Sequence, residues 1–367
     1  LKFQMIAHTS LNISIMKKYT ASIILAFALL LTTSCNNEDD PIITADYSTI
    51  LNNTGENVIL KTYEALAVNT GELEIATQSL EANPTAQNLE AAKAAWVKAR
   101  SPWEQSEGFL FGPVDQEGID PSLDSWPVNV TDLNNVLASG HALTVAFLAQ
   151  QEGTLKGFHT IEFLLWGEDG SKPVEQFTAR EFEYLVAASG VLAEDAATLY
   201  NLWNPAGGNY IHNILTAGNG SLVYVSQKSA LEEITNALII IADEVGNGKI
   251  NDPFSQQDLT LEESRFSANS KADFANNMRS IRNIYIGSFE SFGTGESLSD
   301  IIREKNASLD AHVLDEIQQA IATIEAIPGT FSDAVFNNPG AVSAAQQAVR
   351  TLQSTLEAEV LPIISNL

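Results

Sequence analysis

The chain has 367 residues, with 46 Asp and Glu against 19 Lys and Arg and a formal net charge of −27. A chain this acidic repels phosphate backbones, which excludes nucleic acid as a partner. The single Cys excludes an intrachain disulfide framework and a cysteine-built zinc site. Hydrophobic residues at 45% supply a real core, and 22 Gly with 12 Pro are too few for a collagen-like or disordered chain. At ~150 residues per domain the length accommodates two domains.

The N-terminal stretch 16–35, MKKYTASIILAFALLLTTSC, opens with Lys17 and Lys18. An apolar run from Ile23 to Leu31 follows, too short to span a bilayer as a mature helix. Small and polar residues then lead to Cys35. This order predicts a leader over 1–34, with the signal peptide itself at 16–34 and Met16 as the start. Cys35 stands where a bacterial lipoprotein carries its lipid, although Thr33 departs from the usual residue there. The acidic run after it, NNEDDP, predicts a tether over 35–48. Placement in the cell envelope follows, lipid-anchored through Cys35 at the outer membrane, with surface exposure suggested by the acidic tether.

Beyond the tether the pattern is helical and strand-like alternation is scarce, so the predicted class is all-α. Apolar residues recur at three- and four-residue spacing over 57–81. Asn83-Pro84 marks the start of a second helix, whose stripe is Leu89, Ala92, Trp96 and Ala99. Pro102 predicts a kink or restart there. Pro113, Gly118, Pro121 and Pro127 predict a loop over 112–130, and loops of that length in compact domains often carry function. Helical patterns resume at 131–150, 157–166, 179–203, 220–245, 271–291, 298–326 and 339–360. The segment Asn204-Pro205-Ala206-Gly207-Gly208 predicts a boundary between a first bundle, 49–203, and a second, 204–367. An internal echo relates them: Arg100 pairs with Arg282, Trp103 with Tyr285, and Phe-Gly closes both stretches.

Gly157-Phe158-His159-Thr160-Ile161-Glu162 is the sharpest chemical feature. Positions i and i+3 share one helix face, so His159 and Glu162 can present a nitrogen and a carboxylate to one point. Bundles build metal sites from such inward pairs, usually with Glu first. With so few His in the chain, further ligands have to be carboxylates. Glu104 and Glu107 repeat the i,i+3 spacing, and the 112–130 loop offers Asp115, Glu117, Asp120 and Asp124. Acids clustered this way repel one another unless a metal or Arg100 offsets them. The bland alternatives are a satisfied polar pair for His159 and Glu162, a solvated Glu107, core tryptophans at 96, 103, 126 and 166, a structural His141 on an apolar helix, and salt bridges for Arg265 and Arg282. The second half shows no comparable Glu and His set.

A lipoprotein-like leader, Arg100-Ser101-Pro102-Trp103-Glu104, Phe111-Gly112-Pro113, Asp124-Ser125-Trp126-Pro127 and the stretch from Gly157 to Gly167 occur in the order of the imelysin-like family. That family is also known as insulin-cleaving metallopeptidases. Pro253-Phe254-Ser255 and the stretch from Asp273 to Met278 extend the resemblance across nearly all of the chain after the leader. The resemblance implies two related helical bundles with the GxHxxE motif near their interface. It implies a metal site at Glu104, Asp124, His159 and Glu162, with Glu107 as a weaker member and Arg100 beside it. It also links the chain to periplasmic iron-uptake components that carry a related domain.

Three functions follow as expectations. The first is an envelope lipoprotein that binds iron, zinc, copper or manganese and serves metal uptake beside an iron-transport partner. The second is a metal-dependent peptidase; no HExxH motif is present, so Glu162 would have to be ligand or base. The third is a non-catalytic surface interaction module whose motif is structural.

Overall fold

The structure is a computed structural model that describes residues 45–293 and 295–367. The leader, Cys35 and the tether as far as residue 44 lie outside the described residues. Every regular element among the described residues is helical, with one isolated bridge between Phe289 and Phe292.

The first helices are α1 (Leu60–Ala82), α2 (Ala86–Glu104), α3 (Val130–Ala138), α4 (Gly157–Trp166) and α5 (Ala179–Trp203). Those after the 204–208 segment are α6 (Gln227–Asp243), α7 (Ser270–Ile286), α8 (Leu298–Lys305), α9 (Ala307–Glu325), α10 (Phe331–Asn337) and α11 (Pro339–Thr355). In the first set α1 packs on α2 and α5, and α4 lies against α2 and α5. In the second, α7 and α11 pack on α9 and on α6. The sets meet where α7 crosses α2. All of these helices belong to one compact unit, Asp46–Leu367.

The sequence explains the packing. On α1 the buried stripe is Tyr63, Leu66, Thr70, Leu73, Thr77 and Leu80, alternating steps of three and four. Its buried threonines donate to carbonyls of their own helix, Thr70 to Leu66 and Thr77 to Glu74, so no hydroxyl is stranded. On α2 the stripe of Leu89, Ala92, Trp96 and Ala99 is buried as expected, and it runs on into Arg100, Trp103 and Glu104. The same face that builds the core therefore ends in charge.

Several boundaries differ from the sequence reading. Pro102 does not break α2, which continues to Glu104. Proline cannot bond the carbonyl four residues back, and that carbonyl, on Lys98, instead accepts from Asn69 Nδ2 at 3.2 Å. The helix expected over 131–150 is interrupted after Ala138, where Ser139 turns extended, and only Val145–Leu148 is helical beyond it. His141 consequently sits in an exposed bend, stacked on Phe147, and not on a helix. The helix expected from 220 starts at Gln227, where Ser226 caps it. The 298–326 helix divides at Asn306, which ends α8 and caps α9. The 112–130 loop contains two helical turns, Pro113–Gln116 and Asp120–Leu123. Gly287, in left-handed conformation, ends α7 earlier than expected.

Candidate metal centre

The site forms where α2 and α4 meet the segment 244–277 of the second set. Gly157 sets its geometry. It opens α4 at a φ of +76°, and a Cβ there would stand 2.4 Å from the Leu123 carbonyl oxygen and 2.7 Å from that of Ser122. Only glycine permits this approach. It brings the 122–124 turn, which carries Asp124, against the first turn of α4, which carries His159. Tyr184 on α5 holds the preceding loop by donating to the Leu155 carbonyl at 2.6 Å, and Trp96 donates to the Phe158 carbonyl at 2.9 Å.

His159 is buried and bracketed by two acids. Its Nδ1 is 3.0 Å from Glu162 Oε2, and its Nε2 is 3.0 Å from Asp124 Oδ1. The Nε2 contact lacks hydrogen-bond alignment, so this nitrogen is a buried polar atom without a hydrogen-bond partner. Burial and the nearby Arg100 oppose its protonation. Asp124 and Glu162 outweigh them and push the imidazole pKa up to about 9. Burial alone would raise the Asp124 pKa, yet Arg100 and His159 hold it well below the usual carboxylate range. The other Asp124 oxygen accepts from Trp103 Nε1 at 2.6 Å.

Glu162 is fully engaged. Its Oε1 accepts from the Phe266 amide at 3.0 Å, the Ser267 amide at 2.8 Å and the Ser267 hydroxyl at 2.7 Å. The carboxylate thus ties α4 to the second set of helices and orients the His159 ring.

Arg100 and Lys249 are buried cations beside His159. Arg100 pairs with Glu104 and Asp124, with Glu263 at 2.8 Å and with Asp273 at 3.6 Å, and its guanidinium lies over the Phe158 ring. Lys249 closes a π-helical turn, Glu244–Lys249, and reaches Glu107 at 2.7 Å and Glu263 at 2.9 Å. Asn277 on α7 donates to Glu104 at 2.6 Å and Glu107 at 2.5 Å. Six carboxylates are buried here: Glu104, Glu107, Asp124, Glu162, Glu263 and Asp273. Burial raises the pKa of Glu107, Glu263 and Asp273, and neighbouring acids raise them further against the pull of Lys249 or Arg100.

All six sequence-selected residues, Arg100, Glu104, Glu107, Asp124, His159 and Glu162, join one network. Two sets have oxygen or nitrogen atoms within 4.8 Å of one another: Asp124, His159 and Glu263, and Glu104, Glu107, Asp124 and Glu263. Glu162 belongs to neither. Asp120 is half-buried beside the site, whereas Asp115 and Glu117 are exposed away from it. Glu107 is buried, which corrects the solvated reading. Trp126 is only half-buried and faces His159 with ring centres 6.1 Å apart, so it lines the site and is not core. Arg265 pairs with Glu168 as expected. Arg282 has no carboxylate partner among the described residues; its guanidinium donates to Asn283 at 3.3 Å.

The second half, expected to show no comparable Glu and His set, supplies Lys249, Glu263, Asp273 and Asn277 to the site and no His. Asp273 and Asn277 could have been found, since they interrupt the buried stripe of α7 with polar groups four residues apart. Nothing in the local pattern marks Glu263, which sits on a loop.

The residues fit a cation. An excess of buried carboxylates faces two fixed charges, and His159 Nε2 and Glu263 Oε2 are buried without hydrogen-bond partners. A cavity of about 240 Å³ lined by Glu107, Asp120, Asp124, Trp126 and Glu244 opens beside them.

Fold and site define an all-helical protein built around a buried carboxylate–imidazole cluster. A family model described as Imelysin, peptidase M75, matches residues 59–356, and the chain belongs to the imelysin family. Iron-regulated protein A of Synechococcus elongatus is 32% identical over 296 residues, which is 80% of each chain. A solved structure of a candidate iron-regulated protein A precursor from Parabacteroides distasonis matches with a TM-score of 0.78 at 27% identity, over 87% of this chain and 94% of that one. An imelysin-like protein from Psychrobacter arcticum shares the fold, with a TM-score of 0.71 at 14% identity over 86% and 95% of the two chains.

Proposed function

We propose that this protein binds one divalent metal ion, iron foremost, and serves iron handling at the cell envelope. His159 Nε2 and the carboxylates of Asp124 and Glu263 would hold the ion, with Glu104 and Glu107 as the adjoining oxygen donors. Glu162 would act as the partner that fixes the imidazole, a role such carboxylates commonly take beside a ligating His. The observation that carries the reading is the buried convergence of His159, Asp124 and Glu263, whose nitrogen and oxygen atoms lie within 4.8 Å of one another. Hard oxygens with one imidazole suit iron, manganese or zinc. The choice of iron rests on the names of the relatives.

Anchoring through Cys35 belongs to the same proposal. No helix among the described residues is long and apolar enough to cross a membrane. A Cys35→Ala chain released from the membrane fraction would support lipid anchoring, and an unchanged distribution would remove it.

The test is anaerobic titration of Fe(II), with Mn(II) and Zn(II) in parallel, into the full chain and into the His159→Ala, Asp124→Asn variant. The reading requires about one equivalent bound by the parent and at least a ~10-fold loss in the variant. Equal affinity would overturn it.

The family description favours a second reading, a metal-dependent peptidase. The cavity of about 240 Å³ beside the cluster shares Leu110 with a larger cleft of about 630 Å³, so volume does not decide between the readings. Cleavage of unfolded casein that a chelator abolishes would support the peptidase reading.

A further inference from the structure

We infer that Lys249 is a built-in counter-cation, lodged in the four-carboxylate pocket that adjoins the proposed metal position, and that it gives up Glu263 and Glu107 when a hard divalent ion binds to His159, Asp124 and Glu263. The inference rests on the metal-binding reading and adds how the site is regulated.

The pocket is formed by Glu104, Glu107, Asp124 and Glu263, whose oxygens lie within 4.8 Å of one another. Lys249 Nζ contacts three of the four, at 2.7 Å from Glu107, 2.9 Å from Glu263 and 3.6 Å from Glu104. A single ammonium surrounded by three carboxylates supplies positive charge that a bound cation beside it would otherwise supply. The pocket nevertheless retains a fully buried Glu263 Oε2 without a hydrogen-bond partner, so the lysine leaves its donors incompletely used.

Arg100 and Lys249 divide the work differently. Arg100 is held by its planar fork on several acids and by the Phe158 ring beneath it. Lys249 is a point charge on a flexible stem, at the end of a π-helical turn, a feature frequent at functional sites. A destination lies within reach. Glu244 Oε1 is 3.8 Å from the ammonium, with its side chain 38% exposed, and it lines the cavity together with Asp120 and Trp126. A shift toward Glu244 keeps the lysine paired while it vacates Glu107 and Glu263.

The test is calorimetric titration of Mn(II) at neutral pH into the parent, Lys249→Met and Lys249→Arg. Removing the competing charge should tighten Mn(II) binding at least tenfold in Lys249→Met, and Lys249→Arg, which keeps a cation in the pocket, should show no such gain. Parent binding with equal or weaker affinity in Lys249→Met overturns this inference and leaves the metal reading intact. No Mn(II) binding by either removes both. Should Lys249→Met fail to fold, acylation of the parent decides. Lys249 should be modified faster with Mn(II) bound than without, and unchanged protection in a parent that binds Mn(II) overturns the inference.

Discussion

A Cβ on Gly157 would stand 2.4 Å from the carbonyl oxygen of Leu123, so the backbone at the start of α4 is locked against the turn that carries Asp124. The glycine of the GxHxxE motif is therefore what brings His159 and Asp124 together. Gly157→Ala must relieve both a backbone clash and a left-handed φ. It should cost about 2–4 kcal/mol of stability. Denaturant unfolding checks this, and the folded fraction should also bind Mn(II) more weakly because Asp124 has been displaced.

Glu162 shares one carboxylate between His159 and the Phe266–Ser267 backbone. In Glu162→Gln the single amide oxygen can serve one side only. The loss should be about 1–3 kcal/mol in stability. Metal affinity should fall ~10–100-fold through the misoriented imidazole. Calorimetry on the variant separates the two effects, and unchanged affinity would leave Glu162 with a purely structural role.

Arg100 offsets four acids in a space closed to water. Arg100→Met keeps volume but leaves those carboxylates unpaired. Destabilisation of about 3–5 kcal/mol is expected, the usual cost of removing one member of a buried ion pair. Because the uncompensated charge is negative, added Mn(II) should recover more thermal stability in this variant than in the parent.

The metal-free protein should lose stability as pH rises from neutral. His159 has a folded pKa of about 9 against an ordinary 6.5, so its contribution is complete below pH 6.5 and is lost as pH climbs through 9. A shift of this size corresponds to about 3–4 kcal/mol. Asp120 acts with the same sign at lower pH. Burial, then Asp124 and Glu244, raise it to about 6 from 3.8, so its ionisation above that value disfavours the fold. The melting temperature of chelator-treated protein should therefore fall between pH 6.5 and 9.5, and His159→Gln should flatten that fall.

How much of this was legible follows from which residues share a helix. The class, the stripes of α1 and α2, and the pairs His159/Glu162 and Glu104/Glu107 are local patterns, so periodicity exposes them. Breaks set by single turns were not: Ser139 and Asn306 divide apolar runs whose spacing alone reads as continuous helix. Pro102 misled because its consequence depends on Asn69, a residue from another helix. In the site, Asp124 was reachable through resemblance to the family. Lys249 and Glu263 come from a π turn and a loop, and only the meeting of the two helical sets gives them partners. Glu162 was expected as a metal ligand, but one of its oxygens is taken by residues 266–267 and the other by His159, contacts of which only the second follows from local spacing.

The most direct measurement is anomalous diffraction from crystals grown with Fe(II) or Mn(II), collected at the metal's absorption edge. The account predicts one strong peak within ~2–2.5 Å of His159 Nε2 and of carboxylate oxygens from Asp124 and Glu263. A fully bound metal located elsewhere, or no peak at saturating metal, would contradict it.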